Sequence, residues 1–422
     1  MIQNRLIAYS SRRSGGREAR RTLRAAPLAE DLRPIRAGLE GGNFKPLDAA
    51  AMQAIDATVY QILEEIGLSQ APGSGVKYMT DAGAILGDDG RLRFPRGLVE
   101  DTLAKCARHI TLHGQNPKHD LLLSGSRVHY GTAGAAVHVV DIAKNEYRES
   151  YLADIYDAAR IVEQMDNIHF FQRPMVARDI PDPADLDFNT VYAAIKGTTK
   201  HVGVSFTEAE FMKPVFEMLH SVAGGEDKWR ARPFVSNSNC FVVPPLRFAT
   251  ESCLVMEEAV RNGMPVLLLS AGQAGATAPA SIAGAVAQAL SEVIAGLIYV
   301  NAMKPGHPCI CGTWPFVSDL RTGAMSGGSG EQGLLTAACA QMLQYYDLPG
   351  GAAAGMADAK MPDAQSGYEK GSTLVMAGLS GLNMVYEAAG MHASLLGFCL
   401  DSLIIDNDML GQCLRCVRGI EV

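Results

Sequence analysis

Short apolar or β-branched runs alternate with longer helical patterns from about residue 127 to the end of the 422-residue chain. Eight runs have the length and composition of buried strands: Val128–Thr132, Ile168–Arg173, His201–Phe206, Phe234–Asn239, Val266–Ser270, Cys309–Trp314, Ala352–Met356 and Leu382–Tyr386. Each is followed by a helical pattern: 151–165, 184–197, 207–223, 247–262, 280–303, 329–346, 364–378 and 392–418. Strict alternation implies parallel strands joined by crossover helices. The sequence therefore predicts the α/β class and a closed (β/α)8 TIM-type barrel over 126–422, with an open doubly wound sheet as the structural alternative.

Two segments of different character precede this region. Residues 1–36 hold nine arginines against three acidic residues, a net charge of +6, and we expect a disordered basic arm. There are two alternatives. The arm could be a segment that binds an acidic partner or a neighbouring subunit, or it could be a mitochondrial-type presequence. Residues 37–125 combine turn signals with helical patterns at Leu47–Leu68 and after Phe94, and predict a mostly helical α+β subdomain.

The whole chain is acidic, and this argues against nucleic-acid binding. Its net charge is −8 and its isoelectric point about 5.7. Nine cysteines at irregular spacing predict reduced thiols and a cytoplasmic protein. The most apolar stretch, Ile282–Met303, is broken by Gln288 and Glu292 and therefore predicts a buried helix and no membrane partner.

In a barrel of this type the functional site lies at the carboxyl ends of the strands. This rule selects a set of polar residues: Gln172, Arg173, Ser205, Asn237, Ser238, Asn239, Glu331, Asp358, Lys360, Asp363, Gln365, Glu387 and His392. Glu331 has an alternative role as a first-turn helix carboxylate. Lys360 could form a Schiff base, but the flanking Asp358 and Asp363 favour an ion pair.

Aromatic side chains also fall at the predicted strand ends. They are Phe170, Phe171, Phe206, Trp314, Phe316 and Tyr386. Ordinary barrel packing explains them, and a partial aromatic cage for a cation such as a quaternary ammonium is the functional alternative.

Neither a metal nor a nucleotide is favoured by the motifs. His307 and Cys311 are four residues apart in a predicted strand, about 13 Å, so they cannot bind one zinc ion together. The glycine-rich loops near residues 272 and 327 could hold an anion on backbone N–H groups. Neither loop matches the P-loop or the dinucleotide-binding pattern.

Three loop segments resemble stretches of the trimethylamine:corrinoid methyltransferase family. They are Ser270–Ala280, Gly328–Glu331 and Ala357–Lys370, the last with the sequence ADAKMPDAQSGYEK. The resemblance extends from about residue 45 to the C-terminus. It implies a (β/α)8 barrel that moves a methyl group from a methylated amine to the cobalt of a separate corrinoid protein. The corrinoid (cobalamin) would come with that partner, and no cofactor would be tightly bound to this chain.

The family contains members with pyrrolysine, which use trimethylamine, and members without it, which act on quaternary amines such as glycine betaine. This sequence contains no nonstandard residue and therefore resembles the second, glycine betaine methyltransferase-like branch. A quaternary ammonium leaves as a neutral tertiary amine, so its methyl group needs no acid catalyst. Desolvating the cation and aligning one N–CH₃ bond would suffice. Family members extend further at the C-terminus, so we expect this chain to be shorter than they are.

Candidate roles follow from position after the strands. Glu331 and Asp358 are the candidate catalytic charge partners, and no metal ligands are assigned. The candidate substrate-binding residues are Trp314, Phe316 and Tyr386 as walls for the cation, Arg173 and His392 for a carboxylate, and Asn237. We expect an amine substrate, a cognate corrinoid protein and a homo-oligomer as partners. An inactive amine-binding barrel and a lyase or aldolase using Lys360 are the alternative functions.

Overall fold

Eight parallel strands and one short antiparallel strand, Leu39–Glu40, form the central sheet of the protein. The structure is a computed structural model and describes Arg33 and residues 36–421. The strands are β1 (Arg127–Tyr130), β2 (Phe171–Gln172), β3 (Val202–Val204), β4 (Val235–Asn239), β5 (Val266–Ser270), β6 (Cys309–Thr313), β7 (Gly350–Ala353) and β8 (Met384–Tyr386). From β2 to β8 each strand pairs with the next in the chain, and β8 pairs with β1. The predicted α/β class and the alternating order are confirmed.

The sheet curls until β1 and β2 approach each other. A parallel bridge joins Gly131 to Phe170, just beyond β1 and just before β2. The His169 N–H donates to the Tyr130 carbonyl at 2.6 Å in the same place. β1 and β2 are therefore in contact at this point, beyond the residues where Leu39–Glu40 pairs with β1.

A helix follows every strand and packs on the outside of the curled sheet. The helices are α1 (Leu152–Glu163), α2 (Pro183–Gly197), α3 (Met212–Ala223), α4 (Thr250–Arg261), α5 (Ile282–Met303), α6 (Gly330–Tyr345), α7 (Ala364–Leu379) and α8 (Leu400–Arg418). The last helix begins at residue 400 and not at 392, because Met391–His392 and Gly397–Phe398 form short paired strands.

Helix α5 is the one described helix that is long and apolar enough to cross a bilayer, and 83% of its most apolar window is buried in the protein. Its carboxylate, Glu292, accepts a hydrogen bond from the Leu246 N–H at 2.7 Å. This burial agrees with the core helix that the sequence predicts.

The strand register separates an inner face from a helix-facing one. Tyr130 donates to the Leu374 carbonyl in α7 at 2.9 Å, and Asn239 donates to the Ser252 carbonyl in α4 at 2.8 Å, so both face helices. Because side chains alternate along a strand, the neighbouring positions face the interior of the curled sheet. The interior set includes Phe170, Trp314 and Tyr386.

The segment before β1 contains three longer helices, of which the first and the last were predicted from the sequence and the second was not. They span Ala49–Gln61, continued by a π-helical turn at Ile62–Ile66, then Gly73–Asp81 and Arg96–Lys105. The segment is tied to the barrel region through Glu257, which accepts hydrogen bonds from Ser74 Oγ (2.6 Å) and Tyr299 Oη (2.5 Å). The predicted basic arm lies outside the described residues apart from Arg33 and Arg36.

Two small sheets extend from the carboxyl ends of the central strands. One joins Gln273–Ala274, Phe316–Ser318 and Met325–Ser326, from the loops after β5 and β6. The other joins Met391–His392, Gly397–Phe398, His138–Asp141 and Glu146–Glu149. The loops on this side are thus ordered by backbone hydrogen bonds.

Candidate active site

Three aromatic rings lie together on the interior face near the carboxyl ends of the strands. The Tyr386 ring centroid is 5.1 Å from that of Phe170 and 4.9 Å from that of Trp314. All three side chains are buried. We call Phe170, Trp314 and Tyr386 the aromatic cluster. Two of its members, Trp314 and Tyr386, belong to the cation walls predicted from the sequence.

Glycines on neighbouring strands make room for these rings. A Cβ atom at Gly351 would lie 2.5 Å from the Tyr386 ring, and one at Gly131 would lie 2.4 Å from the Phe170 ring. Both distances are shorter than carbon–carbon contact allows. The cluster therefore depends on side-chain-free positions in β7 and just after β1.

The chemistry of the cluster suits a cation. Trp314 Nε1 is buried and has no hydrogen-bond partner among the described residues. Burial raises the pKa of Tyr386 far above its usual range, so the phenol stays neutral. Electron-rich faces of Trp and Tyr attract quaternary ammonium groups, by about 2 kcal/mol when the contact is desolvated.

Glu387 follows Tyr386 and is fully buried. Its Oε2 has no hydrogen-bond partner within the described part of the chain. Burial alone raises the pKa of this carboxyl to about 8. In the sequence, Glu387 directly follows the last predicted strand, and that position alone assigned it no role. The signal that could have found it is a single charged residue in the stretch Leu382–Met391.

Arg173 is partly buried at the end of β2. Its N–H donates to the Gly203 carbonyl at 2.8 Å, and its side-chain Nε has no partner among the residues described. Burial lowers the pKa of Arg173, while Asp187 and Cys240 act in the opposite direction. A guanidinium normally stays protonated, so this side chain offers donors to a carboxylate.

Asn237 lies on the helix-facing side of the sheet. It pairs in register with Val204 and Val266, one residue from the interior positions Ser236 and Ser238. Its amide is fully buried, and neither amide atom has a partner in the described chain. The predicted substrate-binding Asn237 is thus on the opposite face from the aromatic cluster, because adjacent strand residues alternate.

Asp358 connects three loops. Its carboxylate accepts hydrogen bonds from Ser326 Oγ (2.7 Å) and the Gly327 N–H (2.8 Å) of the loop after β6, and from Ser394 Oγ after β8. Asp358 itself belongs to the loop after β7. Lys360 is exposed and donates to the Asp358 carbonyl at 2.6 Å, so the ion pair expected with the Asp358 carboxylate is replaced by a backbone contact.

No ring pair or hydrogen bond among the described residues joins the remaining candidates to the aromatic cluster. Glu331 is exposed in the first turn of α6. Phe316 is buried in the small sheet with Gln273. His392 is buried, with Nε2 2.7 Å from Ser402 Oγ. Burial, with a smaller effect of Lys370, lowers the pKa of His392 to about 3, so the imidazole is neutral near pH 7.

The curled parallel sheet, its outer helices and its aromatic interior define a barrel-like α/β protein, a fold class whose enzymes bind small ligands at the carboxyl ends of their strands. Among solved structures, the hydroxylamine complex of MtmB superposes with a TM-score of 0.56 over 88% of this chain and 80% of that chain, at 11% sequence identity. At this low identity, the superposition shows that the two proteins share a fold.

The chain belongs to the trimethylamine methyltransferase (MTTB) family, whose profile matches residues 13–422. It is 30% identical over 387 residues to the trimethylamine methyltransferase MttB of Desulfitobacterium hafniense, covering 92% of this chain and 77% of that protein. It is 28% identical to a glycine betaine methyltransferase of the same species, covering 89% of this chain and 78% of that protein. The resemblance predicted from the sequence is confirmed, and the protein is a methyltransferase.

Proposed function

We propose that this chain transfers a methyl group from a quaternary amine of the glycine betaine type to the Co(I) of a separate corrinoid protein. The aromatic cluster carries the proposal, because the faces of three buried rings attract a methylated cation more strongly than a neutral ligand. The family relatives named for trimethylamine and for glycine betaine support an amine substrate.

The chain's own residues would bind, desolvate and orient the substrate. Trp314 and Tyr386 would hold the ammonium, and the Arg173 guanidinium, whose Nε has no partner among the described residues, would take a betaine carboxylate. The corrinoid of the partner protein supplies the nucleophile that takes the methyl group. The C–N bond breaks with its electron pair on nitrogen, and a neutral tertiary amine leaves without needing a proton. Alignment and water exclusion are therefore the main demands on the protein.

We also propose that the sheet is a closed (β/α)8 barrel over 126–422, with 37–125 as a separate subdomain. The bridge between Gly131 and Phe170 supports closure. A closed barrel would present one mouth, at the carboxyl ends of its strands, to the corrinoid protein. The nine free cysteines support a reducing, cytoplasmic location.

The direct test mixes the protein with its cognate corrinoid protein in the reduced Co(I) state and one amine. Glycine betaine, carnitine, choline and trimethylamine are compared, and the absorbance of the methylated corrinoid is followed. We expect a quaternary amine to give product and Trp314→Ala to lower kcat/KM about tenfold or more, as loss of a desolvated cation–π contact predicts. Tyr368→Ala, at an exposed position of α7, is the matched control.

Absence of methylated corrinoid with every amine would refute the proposal. Calorimetric binding of betaines without turnover would instead identify an inactive amine-binding barrel. A lysine-dependent lyase would be revealed by borohydride trapping of a substrate on Lys360. The exposed position of Lys360, with Nζ on the Asp358 carbonyl, does not favour it.

A further inference from the structure

We propose that Glu387 is the counter-ion of the substrate's positively charged nitrogen, and that binding a permanent cation expels one proton from this carboxyl. The inference rests on the proposed function, because it assigns the recognition of the same ammonium group. It gives a role to a residue that position after a strand selected without assigning one.

The first observation is the isolation of the carboxyl. Glu387 is 1% exposed, and Oε2 has no hydrogen-bond partner among the described residues. An unpaired polar group in the interior costs free energy, and an unpaired charge costs far more. A folded protein retains such a group where an ordered water or a bound ligand satisfies it, or where it performs chemistry.

The second observation is the backbone at this point. The φ angle of Glu387 is +62°, in the left-handed region, so its side chain does not continue the alternation of β8. The chain nevertheless stays in the sheet on both sides. The Ala354 N–H donates to the Tyr386 carbonyl at 3.0 Å, and the Ala388 N–H donates to the Gly131 carbonyl at 2.9 Å. Glu387 is therefore fixed between the ends of β7 and β1, next to the aromatic cluster.

The third observation is that the nearby charged groups already have partners. Lys370 in α7 pairs with Asp406 in α8 at 2.6 Å, and Asp406 also accepts from the Gly390 N–H at 2.7 Å. Glu369 is held by Gln365 and by the backbone of Asp358.

The flanking residues after β7 and β1, from 353 to 355 and from 131 to 132, carry no charge. Arg173 has Asp187 and Cys240 as its charged or ionisable neighbours. Within the described residues, no cation of the protein is paired with Glu387.

A metal ion is not favoured as the missing partner. The described residues contain no group of three His, Cys, Asp or Glu side chains that could hold one. An organic cation requires only one carboxylate and apolar or aromatic walls. The aromatic cluster beside Glu387 supplies such walls.

Proton release follows from the same geometry. Without ligand, burial keeps the carboxyl protonated near pH 7, because its pKa is raised to about 8. A quaternary ammonium has no acid or base site on nitrogen, so the proton that leaves the carboxyl passes to the solvent. The bond broken is O–H, and the carboxylate that remains neutralises the bound cation.

The experiment is isothermal titration calorimetry of the full chain with tetramethylammonium and with glycine betaine. Titrations at pH 7 and pH 9, in buffers of different ionisation enthalpy, count the protons exchanged. From a pKa of about 8 we expect release of about 0.9 proton at pH 7 and about 0.1 at pH 9. The wild-type Kd should fall about tenfold between pH 6 and pH 7 and level off above pH 8.

Glu387→Gln removes the charge and preserves the shape. It should abolish proton release and weaken binding about tenfold or more at pH 9, where the wild-type carboxyl is ionised. Glu217→Gln, at an exposed position in α3, is the matched control and should behave like wild type. Unchanged affinity of Glu387→Gln at pH 9 would overturn the proposal, as would pH-independent binding by the wild type without proton release.

The outcomes separate this inference from the proposed function. Proton-linked binding of amines without any methyl transfer would support Glu387 and refute the methyltransferase assignment for those amines. Methyl transfer with wild-type KM in Glu387→Gln would refute the role of Glu387 and leave the proposed function intact. The wild-type pH dependence tests the role of Glu387 even if the variant does not fold.

Discussion

Replacing Glu387 by glutamine should stabilise the ligand-free protein, and more so as the pH rises. The folded-state pKa of Glu387 is raised to about 8, against an ordinary value of 4.5. When folding raises the pKa of an acid, the folded protein keeps its full stability only below the pKa of the unfolded chain. That part of the stability is lost between pH 4.5 and pH 8, because the unfolded chain ionises first.

The size of the effect follows from the separation of the two pKa values. At pH 7 the carboxyl is ionised in the unfolded chain and still protonated in the folded one. Because pH 7 lies 2.5 units above the ordinary pKa of 4.5, the unfolded chain is favoured by about 3 kcal/mol. At pH 9 both states are ionised, and the full shift corresponds to about 5 kcal/mol. Below pH 4 the difference vanishes. Glutamine has the same shape and no titration, so Glu387→Gln should gain about these amounts.

Unfolding followed by circular dichroism at pH 4, 7 and 9 measures the prediction. The difference between Glu387→Gln and wild type should be near zero at pH 4 and grow with pH, and Glu217→Gln should show no such trend. If the glutamine variant is no more stable than wild type at pH 9, the claim that the Glu387 carboxyl is buried without a partner is refuted. A variant that is more stable and binds amines more weakly would show a function paid for in stability.

Two further substitutions test the packing around the site. Gly351→Ala places a methyl group 2.5 Å from the Tyr386 ring and should weaken amine binding in calorimetry, whereas Gly367→Ala, which meets open space in α7, should not. Lys370→Met leaves the buried Asp406 carboxylate without its cation and should lower the free energy of unfolding by about 3–5 kcal/mol, measured with denaturant. Adding Asp406→Leu should restore part of this loss. A loss below about 1 kcal/mol would contradict the burial of the pair.

The hydrophobic periodicity predicted all eight strands and the helices between them to within a few residues. The largest strand error is β7, expected at Ala352–Met356 and found at Gly350–Ala353. Its glycine pair resembles a turn in the sequence, although in the structure those glycines leave room for larger side chains. Burial patterns determine where strands occur, but the small residues inside a barrel carry little of that pattern.

The site was predictable only where alternation along a strand decides the outcome. Tyr386 ends β8 and Trp314 directly follows β6, both at interior-facing positions, and their proximity follows from the parallel register. Asn237 required the register of β4 to be known. Glu387 stands out in the sequence as the single charged residue of Leu382–Met391, but its left-handed backbone angle could not be read from the residue type. Position after a strand therefore selects candidates, and the local dihedral angles decide between them.

The three loops joined by Asp358 have a mechanical consequence. Because the segments after β6, β7 and β8 share hydrogen bonds to one carboxylate, none of them can shift alone without breaking a contact to the others. The three loops would therefore move together or not at all. A protein that docks on them would bind a preformed surface, and any conformational change on docking would have to occur in that partner.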